Sequence, residues 1–134
     1  MTIEYATKYD LEVINEYDKY IAKEELLKSI LDNRVIVVKE NSKIIAWFRY
    51  SLFWDNIPFL NMIFVLEKYR DQGIGKKLVG FWEEEMKNKG FKMVMTSSLS
   101  NENAQLFYRA LRYKDAGSLL LENEALEIIF TKNL

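Results

Sequence analysis

The sequence contains neither cysteine nor histidine, and these absences narrow the chemistry that it can perform. None of its 134 residues is Cys or His. Without cysteine there is no disulfide and no thiol nucleophile, and without histidine there is no Ser-His-Asp or Cys-His site. Zinc sites built from these residue types are excluded, and we expect no metal centre. Any proton transfer must use Tyr, Asp, Glu, Lys, a terminal amine or water.

Strong net charge, linker residues and long apolar runs are also missing. The net charge is −1, so there is no basic field to hold nucleic acid. The only proline is Pro58 and the five glycines are scattered, so no flexible linker divides the chain. No apolar run approaches the ~20 residues of a membrane span, and the opening MTIEYATKYDLEV lacks the segments of a signal peptide. We therefore expect one domain over residues 1–134, in the cytoplasm, with neither nucleic acid nor membrane as partner.

The apolar pattern predicts an α/β domain on a mostly antiparallel sheet. The hydrophobic fraction of 49% is enough for a real core. Residues 59–66 are nearly all apolar, as expected of a central strand covered on both faces. One strand–helix–strand crossover lies in the middle. The predicted elements are a strand at 1–6, two helices within 8–31, strands at 34–40, 44–53 and 59–66, a helix from Ile74 that ends at Gly90, a strand at 91–98, a helix at 101–113 and two strands within 118–130.

The stretch YRDQGIGKKL at 69–78 predicts an anion site between a strand and a helix. Gly73 and Gly75 carry no side chains, so backbone N–H groups can close on a ligand. The first turn of the helix adds unpaired N–H donors and the positive end of its dipole. Lys76 and Lys77 add charge, although either lysine also suits an ordinary solvated surface. Phosphate or pyrophosphate is the expected guest.

Two common phosphate loops do not fit this stretch. A Walker loop needs four residues between its first glycine and Gly-Lys-Ser/Thr, whereas here one residue separates the glycines and Lys77 replaces Ser/Thr. A dinucleotide fingerprint needs a third glycine where Leu78 stands. The pattern that remains is Arg-x-x-Gly-x-Gly, formed by Arg70, Gly73 and Gly75.

With this loop between a strand and a helix, the chain resembles the GNAT family of acyl-CoA-dependent N-acetyltransferases. A second motif supports the resemblance, because Asn101, Ala104 and Tyr108 match the family's Asn-x-x-Ala-x-x-x-Tyr on a helix after the next strand. The order of elements agrees over nearly the whole chain. Two departures stand out. Arg112-Tyr113 replaces the family's frequent Gly-aromatic, and Glu67 stands where a proline is frequent.

The resemblance implies a fold, a reaction and a set of site residues. The fold is that of the acyl-CoA N-acyltransferases, a mixed, mostly antiparallel sheet of about seven strands flanked by about four helices. The reaction is direct transfer of an acetyl group from acetyl-CoA to a primary amine in a ternary complex. Tyr108 would protonate the leaving CoA thiolate. A backbone N–H at a splayed strand around Phe64 or Val65 would polarise the thioester carbonyl. The implied acetyl-CoA contacts are Phe64, Val65, Arg70, Asp71, Gln72, Gly73, Ile74, Gly75, Lys76 and Asn101.

Several alternatives stay open at this point. Tyr108 also fits a buried helix face, Asn101 also fits a helix cap, and Arg70 also fits an ion pair with Asp71 or a glutamate. A non-catalytic acyl-CoA sensor or regulatory module on the same fold would keep the loop and leave Tyr108 dispensable. A nucleotide-binding protein of another class would prefer ATP or NAD, and a structural domain would bind none of these ligands.

The acceptor and the general base are not specified by the sequence. The predicted strand 59–66 contains no acid, and Asp55 suits a solvated loop. We expect the acceptor, a small molecule or a peptide, to meet an aromatic cleft. The apolar segments 118–121 and 126–130 also permit a homodimer. The candidate cleft residues are Tyr17, Tyr20, Trp47, Tyr50, Phe53 and Trp54.

Overall fold

Seven strands pair into one sheet in a computed structural model that describes all residues from 1 to 134. The strands are β1 (Thr2–Tyr5), β2 (Val35–Glu40), β3 (Lys43–Phe53), β4 (Ile57–Val65), β5 (Met93–Leu99), β6 (Lys114–Leu119) and β7 (Glu127–Asn133). The α-helices are α1 (Leu11–Tyr17), α2 (Lys23–Leu31), α3 (Ile74–Asn88) and α4 (Ala104–Ala110), with short 3-10 helices at Lys8–Asp10 and Glu67–Tyr69. None of the helices is both long enough and apolar enough to cross a bilayer.

The sheet is mixed and mostly antiparallel, which confirms the predicted fold class. Its strand order is β1-β2-β3-β4-β5-β7-β6. The pairs β1–β2, β2–β3, β5–β7 and β7–β6 are antiparallel. Strands β4 and β5 are parallel, with Phe59 opposite Met95 and Leu60 opposite Thr96. Helix α3 is the crossover that this parallel pair requires.

The chain divides into two compact units, each made of two segments. The first unit contains Met1–Ser51 and Met62–Trp82, and the second contains Leu52–Asn61 and Glu83–Leu134. That the whole chain forms one domain stays a prediction.

The first unit has apolar side chains on both faces of β3. On one face Trp47 joins the buried residues of α1, α2 and β2. On the other face the Phe48 ring lies 4.9 Å from the Trp82 ring. The two faces follow from the period of two along a strand. The core on the Trp47 face contains Ala6, Ile14, Leu26, Ile30, Val35, Val37 and Trp47.

The second unit is centred on β7, which pairs with β5 along one edge and with β6 along the other. Phe130 of β7 is fully buried. Glu83 accepts hydrogen bonds from the Tyr113 hydroxyl at 2.7 Å and from Lys132 Nζ at 3.0 Å. These polar contacts tie the last turns of α3 to the C-terminal strands.

Helix α3 agrees closely with its predicted span, because local signals define both of its ends. It begins at Ile74 and its stripe residues Leu78, Trp82 and Met86 are fully buried. Gly90, with φ 92°, follows its end in the left-handed conformation. The Phe91 N–H donates to the Met86 carbonyl at 3.1 Å, as in a glycine-terminated helix.

The C-terminal hairpin begins earlier and ends later than the apolar pattern predicts. The pattern placed both strands within 118–130, whereas β6 begins at Lys114 and β7 ends at Asn133. Every residue of β6 is exposed. Because this edge strand buries no face, it carries no apolar alternation that could mark it in the sequence.

Candidate active site

The loop after β4 leads into α3 through two left-handed residues. Asp71 has φ 61° and Gly73 has φ 78°. A Cβ added at Gly73 would meet no atom within 4 Å, so open space faces this glycine. The Lys77 N–H donates to the Gly73 carbonyl at 3.1 Å. The earlier N–H groups of the first turn, those of Ile74, Gly75 and Lys76, precede the first intrahelical bond and point out of the helix end. The loop and the start of α3 therefore have a conformation that suits an anion, and anion binding itself stays a prediction.

Arg70 is anchored to the end of β4. Its Nε donates to the Val65 carbonyl at 2.8 Å, and its guanidinium carbon lies 5.1 Å from the centroid of the Phe64 ring. The chain's ion pairs do not include Arg70, so the expected alternative of a pair with Asp71 or a glutamate is wrong. Three predicted site residues, Phe64, Val65 and Arg70, are therefore brought into mutual contact.

Of the other predicted loop residues, Ile74 is buried and the rest are exposed or half-buried. The side chain of Gln72 donates to the Lys68 carbonyl at 3.4 Å, which closes the turn. Lys76 and Lys77 are exposed and form no ion pair. Their charge is available to a ligand at the start of α3.

Phe64 is less covered than the apolar run of β4 suggests. Its side chain keeps 36% of its surface exposed, although residues 59–66 read as a strand covered on both faces. Its ring stacks on that of Trp47, with centroids 4.8 Å apart and planes 23° apart. The remaining face of β4 at this point is therefore accessible where the resemblance implies a contact with the acyl group.

Tyr108 lies in the second unit, on α4, and is 4% exposed. Its ring packs 5.9 Å from that of Phe130 and 5.8 Å from that of Tyr113. Burial raises the pKa of the Tyr108 hydroxyl, a hydrogen bond with Thr96 lowers it in part, and the charges of Glu102 and Glu127 raise it further. The phenol therefore stays protonated well into the alkaline range, as a proton donor must.

The end of α4 has the form of a glycine-terminated helix, although Arg112 stands where the family frequently has glycine. Arg112 takes φ 72°, the left-handed conformation usual for glycine. The Tyr113 N–H donates to the Tyr108 carbonyl at 3.0 Å, and the Arg112 N–H donates to the Arg109 carbonyl at 2.9 Å. These two bonds form the Schellman motif. The helix exit is thus preserved without the glycine.

Asn101 lies in the turn between β5 and α4, outside the helix that the sequence predicts to begin there. Helix α4 begins three residues later, at Ala104, and its N-cap is Asn103. Asn101 therefore does not cap the helix, and this alternative is wrong. Gln105 fixes the turn by donating to the Ser100 carbonyl at 2.7 Å and the Glu102 carbonyl at 3.1 Å. A contact between Asn101 and acetyl-CoA stays a prediction.

The aromatic residues considered for the acceptor cleft differ in their exposure. Trp47 and Tyr50 are buried. Phe53 packs against Trp54, with ring centroids 4.6 Å apart. The other three side chains are exposed, by 52% at Tyr17, 84% at Tyr20 and 79% at Trp54. Only these three offer broad surfaces to an acceptor.

Sequence reasoning missed two acidic residues that the structure makes prominent. Asp18 is buried against Arg49, with an Nε–Oδ2 distance of 2.8 Å. Glu127 begins β7, and burial first, then Glu102 and Glu124, raise the pKa of its carboxyl, against a hydrogen bond with Ser97. No local pattern marks the burial of Asp18, because its partner Arg49 lies 31 residues away in the chain. The environment of Glu127 depends on the pairing of β7 with its neighbouring strands, which no local sequence pattern shows.

The comparisons with known proteins agree with this geometry. The Acetyltransferase (GNAT) family profile matches residues 3–113. An acetyltransferase of the GNAT family from Bacillus cereus ATCC 10987 superposes with a TM-score of 0.79 at 24% identity, covering 98% of this chain and 96% of that one. The ribosomal-protein-S18-alanine N-acetyltransferase from Escherichia coli gives 0.78 at 19% identity, covering 98% and 92%.

A third structure contains the expected co-substrate. It is a proposed streptothricin acetyltransferase from Bacillus anthracis strain Ames in complex with acetyl coenzyme A, with a TM-score of 0.68 at 20% identity. The match covers 75% of this chain and 61% of that chain. A search of curated proteins gives no match. At these identities the solved structures establish the fold.

Proposed function

Because the chain belongs to the GNAT acetyltransferase family, we propose that it transfers an acetyl group from acetyl-CoA directly to a primary amine. Family and fold imply acetyl-CoA-dependent acyl transfer in general. The observation that carries the finer proposal is the start of α3. Gly73 leaves the space before the helix open, the first N–H groups of α3 have no intrahelical acceptor, and Arg70 is held at the end of β4. A pyrophosphate fits this donor set, since it needs several hydrogen bonds and positive charge.

The chain's own residues then divide the work of the reaction. The loop 70–76 and Asn101 bind the CoA portion, and the backbone around Phe64 or Val65 donates to the thioester carbonyl. The neutral amine attacks the acetyl carbon, the carbon–nitrogen bond forms and the carbon–sulfur bond breaks. Tyr108 gives its proton to the departing thiolate, and the proton lost by the nitrogen passes to solvent or to a base. No covalent enzyme intermediate is needed, in keeping with a chain that lacks cysteine and histidine.

The acceptor is a primary amine on a small molecule or a peptide. The E. coli neighbour is named for the alanine of a ribosomal protein, which supports peptide N-termini as acceptors to test. In the first unit the exposed aromatic surfaces of Tyr17 and Tyr20 suit the apolar part of either acceptor class, and in the second unit Trp54 offers such a surface by itself. We propose that the protein acts in the cytoplasm, without nucleic acid or membrane partners, as a monomer or a homodimer.

Calorimetric titration with acetyl-CoA, with ATP and NAD as controls, tests the proposal first. Micromolar binding of acetyl-CoA alone supports it and justifies a screen of amines that detects released CoA thiol. Tight binding of ATP or NAD without acetyl-CoA binding would contradict the proposal and favour a nucleotide-binding protein of another class. Acetyl-CoA binding without turnover on any amine would favour the non-catalytic sensor.

A further inference from the structure

A buried carboxylate joins the end of α1 to the middle of β3. The side chain of Asp18 is fully buried, and that of Arg49 is 9% exposed. Arg49 donates to Asp18 through Nε at 2.8 Å and Nη2 at 3.4 Å. The Trp47 indole N–H donates to the same carboxylate at 3.3 Å, and the Tyr20 backbone N–H donates at 3.1 Å. Although burial alone would raise the pKa of Asp18, these donors hold it below its usual value, so the carboxylate is ionised.

Trp47 extends this cluster to the acetyl-CoA loop. The indole ring stacks on Phe64 at 4.8 Å, and the Arg70 guanidinium lies 5.1 Å from the same Phe64 ring. Arg70 in turn donates to the Val65 carbonyl. A continuous series of contacts therefore runs from Asp18 through Trp47 and Phe64 to Arg70, entirely within the first unit.

Stability alone is a weak reason for such a pair. The desolvation of two buried charges offsets most of their attraction, and apolar replacements are often neutral. A charged, hydrogen-bonded group does, however, fix the orientation of each donor that binds it. Here it fixes the indole plane against which Phe64 is stacked. A binding site needs such support, because its residues must be held within a fraction of an ångström.

We propose that Asp18 is a positioning residue for acetyl-CoA, acting through Trp47 and Phe64 on Arg70 and the end of β4. The inference rests on the proposed function, because it assigns the loop 70–76 to CoA. It also ties the donor side of the site to the segment Tyr17–Tyr20, whose exposed tyrosines are acceptor candidates. The Tyr17 ring lies 5.8 Å from that of Trp47.

The test is the affinity for CoA of Asp18→Asn, measured by calorimetry below the unfolding temperature. Asn keeps the shape of the side chain and removes the charge that orients Arg49 and Trp47. We expect the Kd for CoA to rise about fivefold or more, the lower end of usual coupling between sites. Binding of CoA needs no acceptor, so the result does not depend on identifying the amine.

Asp10→Asn is the matched control. Asp10 is also a buried aspartate of the first unit, 6% exposed, and its Oδ1 lies 3.0 Å from Lys39 Nζ. Its carboxylate accepts from the Thr7 N–H at 2.8 Å, whereas the Trp47 indole N–H donates to Asp18. Both variants therefore lose the charge of a buried carboxylate, but only Asp18→Asn alters the contacts that lead to Phe64. We expect the control to bind CoA within about twofold of the wild type.

A double-mutant cycle with Phe64→Leu separates positioning from general loosening. If Asp18 acts through the Phe64 ring, Asp18→Asn has little further effect on the Kd once that ring is gone. Trp47→Phe, which keeps a ring and loses the donor to Asp18, serves if Asp18→Asn does not fold, and the same non-additivity is expected. Additive effects, or an unchanged Kd in Asp18→Asn, would overturn the inference while leaving the proposed function intact. Failure of the wild type to bind CoA would overturn both.

Discussion

Replacing Tyr108 with Phe removes one hydroxyl from the second unit and keeps the packing. The ring contacts with Phe130 and Tyr113 do not involve the oxygen. The lost interaction is the hydrogen bond with Thr96, worth about 1 kcal/mol of unfolding free energy. Thr96 itself keeps a partner, because its Oγ1 donates to the Leu60 carbonyl at 3.1 Å. We therefore expect Tyr108→Phe to fold and to bind acetyl-CoA about as well as the wild type.

The effect on turnover follows from the proton that Tyr108 supplies. A positioned general acid contributes roughly 100- to 10,000-fold to the rate. Because burial raises the pKa of this phenol above 10.0 while a thiol has a pKa of about 8.5, proton transfer to the thiolate is uphill. The contribution should accordingly lie at the lower end of the range. We expect kcat to fall about 100-fold, with the KM for acetyl-CoA changed less than about threefold.

Tyr113→Phe is the matched control for this experiment. Tyr113 is a second buried tyrosine, 3% exposed, whose hydroxyl donates to the Glu83 carboxylate rather than to the proposed site. Losing a bond to a charged group costs about 1.5–3 kcal/mol, so this control is destabilised more than Tyr108→Phe. Release of CoA thiol at saturating acetyl-CoA is measured for both variants. Equal turnover in Tyr108→Phe and the wild type would remove Tyr108 from the mechanism.

Substitutions at two residues with positive φ should change the free energy of unfolding in opposite directions. Urea unfolding measures both changes. Gly73→Ala should lower the unfolding free energy by about 1 kcal/mol, because φ is 78° there, and should weaken acetyl-CoA binding because the added methyl enters the open space before α3. Arg112→Gly should raise the unfolding free energy by about 0.5–1 kcal/mol, because arginine holds φ 72° at the end of α4. If the unfolding free energy does not rise in Arg112→Gly, or does not fall in Gly73→Ala, the positive φ at that residue does not have the expected energetic effect.

The sequence predicts those parts of the site whose conformation depends on residues close together in the chain. Gly73 and the apolar stripe of α3 are signals within one turn of each other, so the loop and the start of the helix could be placed to the residue. Tyr108 lies on a helix face that is apolar in sequence, and its burial follows. The motif could not separate a cap from a ligand contact at Asn101, because that depends on where α4 begins.

What the sequence could not show depends on pairing over long separations. Asp18 and Arg49 are 31 residues apart, and charged residues are ordinarily expected at the surface. Only the packing of α1 against β3 makes a buried pair of them. The exposed edge strand β6 was misplaced for the converse reason, since a strand that buries neither face leaves no hydrophobic period to read.

The pH dependence of the rate tests both the kind of acceptor amine and the need for a general base. An α-amine has a pKa of about 7.7–8.0 and a lysine amine about 10.4, so the first is partly neutral at pH 7.5 and the second is not. Tyr108 does not limit the rate below pH 10, because its pKa is raised and it remains a proton donor. With a peptide N-terminus and no base, kcat/KM should rise with pH and level off near 8. With a lysine-like amine and no base, the rise should continue toward 10. A rise that levels off well below the pKa of the acceptor used would show that a protein group removes the proton, and would refute the base-free route.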